Sequence, residues 1–128
     1  TILPKLNSSL LDIFLACCEG KLDQCKIKWH DKKSLCVVVC SKGYPDTFKK
    51  SLLIKNIEEV KLSANEYLYH AGTTRNNGEV FSNGGRVLNF VCVSEDFLEA
   101  RTKIHNLINQ LSWDDGFYRK DIGYKVID

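Results

Sequence analysis

Arg86 follows two adjacent glycines in the stretch SNGGRV, residues 82–87, and leads directly into an apolar run, VLNFVCV. Having no side chains, Gly84 and Gly85 allow the backbone to approach a ligand closely and to turn its amides toward it. An arginine at that point can grip a phosphate with its two-pronged guanidinium. Asn83-Gly84-Gly85 is equally what a plain hairpin turn would use, because Asn-Gly reaches positive φ at low cost. Residue types alone leave both readings open.

His70 ends the stretch YLYHAGTT, where a strand would deliver it to a turn beside Thr73 and Thr74. A histidine so placed either takes part in chemistry or hydrogen-bonds locally to hold the turn. His30 lies in a charged connector and His105 on a helix-like segment. No histidine has a cysteine at metal-ligand spacing, and no serine sits in a G-x-S-x-G elbow. G-x-x-x-x-G-K-[ST] and G-x-G-x-x-G are both missing from the sequence. Asp114 and Asp115 precede Gly116, a pattern that turns a chain more readily than it forms a catalytic carboxylate pair.

The elements that must position these residues are those of a single domain. The chain has 128 residues, of which 44% are hydrophobic and 27% charged, ordinary globular usage. Its formal charge of +2 announces neither nucleic acid nor an anionic membrane. The six cysteines, Cys17, Cys18, Cys25, Cys36, Cys40 and Cys92, lack C-x-x-C spacing and are expected to be reduced and mostly buried. The apolar runs are shorter than the roughly 20 residues that span a bilayer, and no leader pattern is visible, so a cytoplasmic location is expected. Helix-like spacing begins at once after Thr1, as if a segment preceded it.

Leu3, Leu6, Leu10, Ile13, Phe14 and Cys17 predict one amphipathic helix, with Ser9 and Asp12 as a capping pair and Gly20 as its stop. A polar connector then runs to about residue 32. Leu35–Cys40, LCVVVC, predicts a strand buried on both faces. Two Asn-Gly steps, Asn77-Gly78 and Asn83-Gly84, predict hairpin turns joining strands over 66–73, 79–82 and 86–93. Ser94 opens a second helix carrying Phe97, Ile104, Leu107, Ile108 and Leu111 on one face, and the residues after Gly116 return as a short strand or extended tail. The expected class is α+β: a mainly antiparallel sheet, made of a three-stranded meander and a buried strand, packed by a long helix.

Five stretches in order, LPKLNSSLLDIFLACCEGKLD, SKGYP, YHAGTT, SNGGRVLNFV and WDDGFYRKDIGYKVI, resemble the closing portion of the phosphoribosylamine–glycine ligases, also called glycinamide ribonucleotide synthetases. Those enzymes belong to the ATP-grasp ligases, in which ATP phosphorylates the carboxylate of glycine and the amine of phosphoribosylamine attacks the acyl phosphate. The resemblance implies that residues 1–32 supply the last helix of an ATP-grasp body and a connector. Residues 33–128 would form a small C-terminal domain on the substrate side of the cleft. It also implies that Gly84, Gly85 and Arg86 hold the substrate phosphate, with Lys42, Gly43, Tyr44 and Pro45, and His70 with Thr73, as cleft-facing turns. ATP and magnesium or manganese would bind mainly to lobes that precede this chain, which alone would be inactive. Its partners would be those lobes, phosphoribosylamine and glycine, with no nucleic acid and no membrane. The alternative from another class is a free-standing α+β module that binds a small phosphorylated metabolite without catalysis.

Overall fold

A computed structural model describes residues 1–127. The three valines in the run 35–40 favour an extended chain, and strand β1 (Lys33–Ser41) forms there. Strands β2 (Glu66–His70), β3 (Thr73–Asn76), β4 (Glu79–Ser82) and β5 (Arg86–Ser94) follow, with helix α1 (Leu10–Cys18) before them. Helix α2 (Phe97–Ile108) and a two-residue strand β6 (Gly116–Phe117) complete the order. The expected α+β class and antiparallel pairing are borne out.

The sheet order is not a meander. Four strands lie in the order β2-β5-β1-β6, and β3-β4 stand apart as a two-stranded sheet. The predicted strand 66–73 is interrupted at Ala71-Gly72, where the chain leaves one sheet for the other. Asn77 (φ 49°) and Gly78 (φ 84°) do form the expected tight hairpin turn between β3 and β4. Asn83-Gly84 does not, because neither residue takes positive φ; it carries the chain from β4 back to the centre of the larger sheet.

One face of that sheet is the core. Leu35, Val37 and Val39 on β1 stand opposite Cys92, Phe90 and Leu88 on β5, and Leu68 on β2 opposite Phe90. Ala100, Ile104, Leu107 and Ile108 of α2 close over them. Asp96 caps α2 by accepting from the Glu99 amide at 2.7 Å, and Glu99 pairs with Lys103 one turn on at 2.7 Å. Ser94, expected to open the helix, instead ends β5 and donates its hydroxyl to Glu99. The helix also stops at Ile108, short of the Asp114-Asp115-Gly116 turn.

Strand β1 is fully buried only on the α2 side; Cys36, Val38 and Cys40 on the other face are half-covered. This corrects the expectation of two buried faces: with a helix on one side only, burial alternates along the strand even though the run itself is apolar. On that second face Leu3, Pro4 and Leu6 lean beside Tyr67 and Val93, and Tyr67 stacks on Tyr69 with ring planes 6° apart.

The first helix is shorter than its periodicity suggests. Leu3–Lys5 is a separate 3-10 turn, and α1 starts at Leu10, where Ser9 accepts from the Asp12 amide at 3.2 Å as expected. No residue of α1 is buried. Among the described residues no helix is long and apolar enough to cross a membrane.

Candidate functional site

Strands β1 and β5 run in register from Lys33–Ser94 to Val39–Leu88, but the next pair is Cys40 with Arg86, leaving Val87 as an extra residue. Such a bulge reverses which face the following side chain occupies. Leu88 therefore points to the α2 core, while Arg86 shares the opposite face with Cys40, Val38 and Cys36. The charge of Arg86 is felt there: burial pushes the Cys40 thiol above its ordinary pKa, and the guanidinium partly offsets this. Arg86 is exposed, and among the described residues its side chain makes no ion pair and no hydrogen bond. By contrast, Arg75 is held by Glu58 and Arg119 by Asp121.

Three turns meet beneath this side chain. From the end of β1, the Ser41 amide donates to the Gly85 carbonyl and its hydroxyl to the Gly84 carbonyl, both at 2.8 Å. From the break after β2, the Gly72 amide donates to the Arg86 carbonyl at 3.0 Å, and the Gly72 carbonyl accepts from the Asn83 amide at 2.7 Å. The Tyr44 amide donates back to the Ser41 carbonyl at 3.0 Å, which brings the ring of Tyr44 over Gly85. The backbones of SKGYP, YHAGTT and SNGGRV, far apart in sequence, thus form one cluster.

This packing is why the glycines are needed. A Cβ on Gly72 would lie 2.6 Å from the Arg86 carbonyl oxygen and 2.8 Å from the Gly84 Cα. One on Gly85 would overlap the Tyr44 ring, and one on Gly43 the Thr47 carbonyl. Close approach, rather than a positive-φ turn, explains the pair at 84 and 85.

The expected site residues do not all converge. Tyr44 and Pro45, joined by a cis peptide, line a mainly apolar groove of about 320 Å³ with Cys36, Val38, Cys40 and Tyr118, on the face that Arg86 occupies. Lys42 and Gly43 border a different hollow of about 470 Å³, with Lys49 and Asp115. His70 stands opposite Leu88, so it leaves the sheet on the α2 side, and its Nδ1 lies 3.1 Å from the Thr73 hydroxyl. That contact is the local hydrogen bond weighed for it above. Asp114 and Asp115 follow the loop after α2, and the Asp115 carbonyl accepts from the Lys42 amide at 2.8 Å, a structural contact.

Sequence reasoning missed Ser41 and Gly72, although both lie inside stretches singled out for other residues. The cysteines are free as expected, but only Cys92 is buried, with Cys17 and Cys18 exposed on α1. Among the described residues no three His, Cys, Asp or Glu side chains converge so as to hold a metal ion.

Residues 34–125 match the family described as phosphoribosylglycinamide synthetase, C domain. The chain belongs to that family. It is 42% identical over 94% of its length to the phosphoribosylamine–glycine ligase of Caldanaerobacter subterraneus, and spans 28% of that protein. It is 41% identical over 99% of its length to the bifunctional purine biosynthetic protein purD of Dictyostelium discoideum, of which it spans 16%. The crystal structure of phosphoribosylamine–glycine ligase from Thermotoga maritima superposes with a TM-score of 0.60 at 25% identity, covering 84% of this chain and 27% of that one. The resemblance read from the five stretches is therefore borne out, and this C domain accounts for under a third of each of these relatives.

Proposed function

We propose that this C domain is part of an ATP-dependent carboxylate–amine ligase that joins glycine to 5-phosphoribosylamine, giving glycinamide ribonucleotide, ADP and phosphate, and that Arg86 holds the phosphate of phosphoribosylamine. The observation that carries the reading is the bulge at Val87, which turns an unpaired guanidinium out of the core and onto the open face of the sheet. A dianionic phosphate is a ligand that a free guanidinium fork can hold with two parallel hydrogen bonds. Fixing it at one end of the substrate would leave the amine at the other end free to be aimed.

Residues 33–128 are read as the substrate-side domain and residues 1–32 as the end of the preceding ATP-grasp lobe, supported by the lack of buried residues in α1. ATP would supply the phosphoryl group that activates the glycine carboxylate, and with magnesium or manganese would be held by the preceding lobes. The described residues offer no carboxylate cluster for the metal, so no step is assigned to it in this chain. Tyr44 and Pro45 lie beside the proposed site, on the face that Arg86 occupies; His70 and Thr73 fit a structural part better, since His70 leaves the sheet on its other face and meets the Thr73 hydroxyl there.

In the full-length enzyme, Arg86→Ala should cost about 2–3 kcal/mol in kcat/KM for phosphoribosylamine, the range for a lost charged contact. The KM values for ATP and glycine should hold. Steady-state kinetics with phosphoribosylamine generated in situ measures this, and an unchanged kcat/KM would remove Arg86 from the site.

A further inference from the structure

Resting on the phosphate reading of Arg86, we propose that Ser41 and Tyr44 are positioning residues for phosphoribosylamine, setting where the Arg86 guanidinium stands without touching the substrate. Ser41 is almost fully buried at the end of β1, and it alone satisfies two successive carbonyls, those of Gly84 and Gly85. Two bonds from one rigid strand end fix both the position and the tilt of the peptide units that lead into Arg86. Tyr44 acts from above. Its ring fills the space that a Cβ on Gly85 would need, and Phe48 braces it edge-on with the centroids 6.1 Å apart. Gly72 holds the far side through its bond to the Arg86 carbonyl.

The segment Gly84–Arg86 is therefore clamped on each side by residues that lie outside it in sequence. A long, flexible arginine serves a phosphate well only if its base is held to within a fraction of an ångström. The clamp has the form such a task requires. The hydroxyl of Tyr44 is not needed for it, since the part of the ring that a Cβ at Gly85 would strike is Cδ2, Cε2 and Cγ.

The test is a double-mutant cycle in the full-length enzyme. Ser41→Ala and Tyr44→Ala should each raise the KM for phosphoribosylamine about tenfold or more, with kcat and the KM values for ATP and glycine close to those of the parent. Tyr44→Phe should keep the parental KM. In an Arg86→Ala background, Ser41→Ala and Tyr44→Ala should add almost nothing, because what they position is gone. A KM penalty that persists undiminished beside Arg86→Ala, or that falls equally on ATP, would reduce both residues to structural parts and overturn the proposal. A parental KM in the single variants would do the same. If Arg86→Ala alone leaves phosphoribosylamine use intact, the phosphate reading itself fails, an outcome the cycle separates from the others.

Discussion

Gly78 and Gly85 both follow Asn-Gly steps or complete them, yet each is required for a different reason. Gly78 sits at φ 84° with open space around a would-be Cβ, so Gly78→Ala meets backbone strain alone, about 1 kcal/mol. Gly85 has ordinary φ but no room, and Gly85→Ala should cost about 1–3 kcal/mol by overpacking against Tyr44. Denaturant unfolding separates the two causes. The Gly85→Ala loss should shrink in a Tyr44→Ala background, whereas the Gly78→Ala loss should not change. A Gly85→Ala cost indifferent to Tyr44 would contradict the account of this pair. The sequence made the glycines visible, but not their purpose: Asn-Gly reports local turn preference, and the Tyr44 ring comes from 41 residues away.

At the scale of elements, α2 and strands β4 and β5 were legible because apolar spacing and β-branched runs are local signals. The bulge was not. Val87 looks like any other valine of the strand, and only the pairing with β1 makes it an extra residue. Nor was the separation of β3-β4 from the main sheet, since a turn signal does not say which neighbour a strand chooses. The last segment docks on α2 through Tyr118, whose ring centroid lies 5.3 Å from that of His105. Among the described residues the His105 Nε2 is buried without a hydrogen-bond partner, and burial, helped by Arg101 and Lys120, holds the imidazole below its ordinary 6.5. As pH falls, the unfolded chain takes up this proton first. The stability linked to neutral His105 is thus present above pH 6.5 and lost as pH drops below it toward the lowered folded value. Urea midpoints of the parent should fall further than those of His105→Leu between about pH 7.5 and about pH 5.5, and equal falls would refute this assignment.

At the scale of the whole molecule, α1 departs most from the other elements. Leu11, Phe14 and Leu15 are 66%, 57% and 52% exposed, an apolar surface that a helix of a finished fold would cover. The periodicity announced an amphipathic helix without saying what it packs against; on the proposed division at residue 32, that partner would be the preceding lobe. Amide hydrogen exchange tests that division. In residues 1–128 alone α1 should exchange nearly as fast as a frayed peptide, and in the full-length chain it should be protected as strongly as α2. Equal, strong protection in both would place α1 with this domain instead.

The central claim is that Arg86, turned outward by the Val87 bulge, grips the phosphate of the ribonucleotide. A crystal structure of the full-length enzyme with glycinamide ribonucleotide tests it most directly. The account predicts the Arg86 guanidinium at about 2.7–2.9 Å from two phosphate oxygens, with Ser41 still bonded to the Gly84 and Gly85 carbonyls. A phosphate held elsewhere, with Arg86 facing solvent or paired to a carboxylate of a preceding lobe, would contradict it.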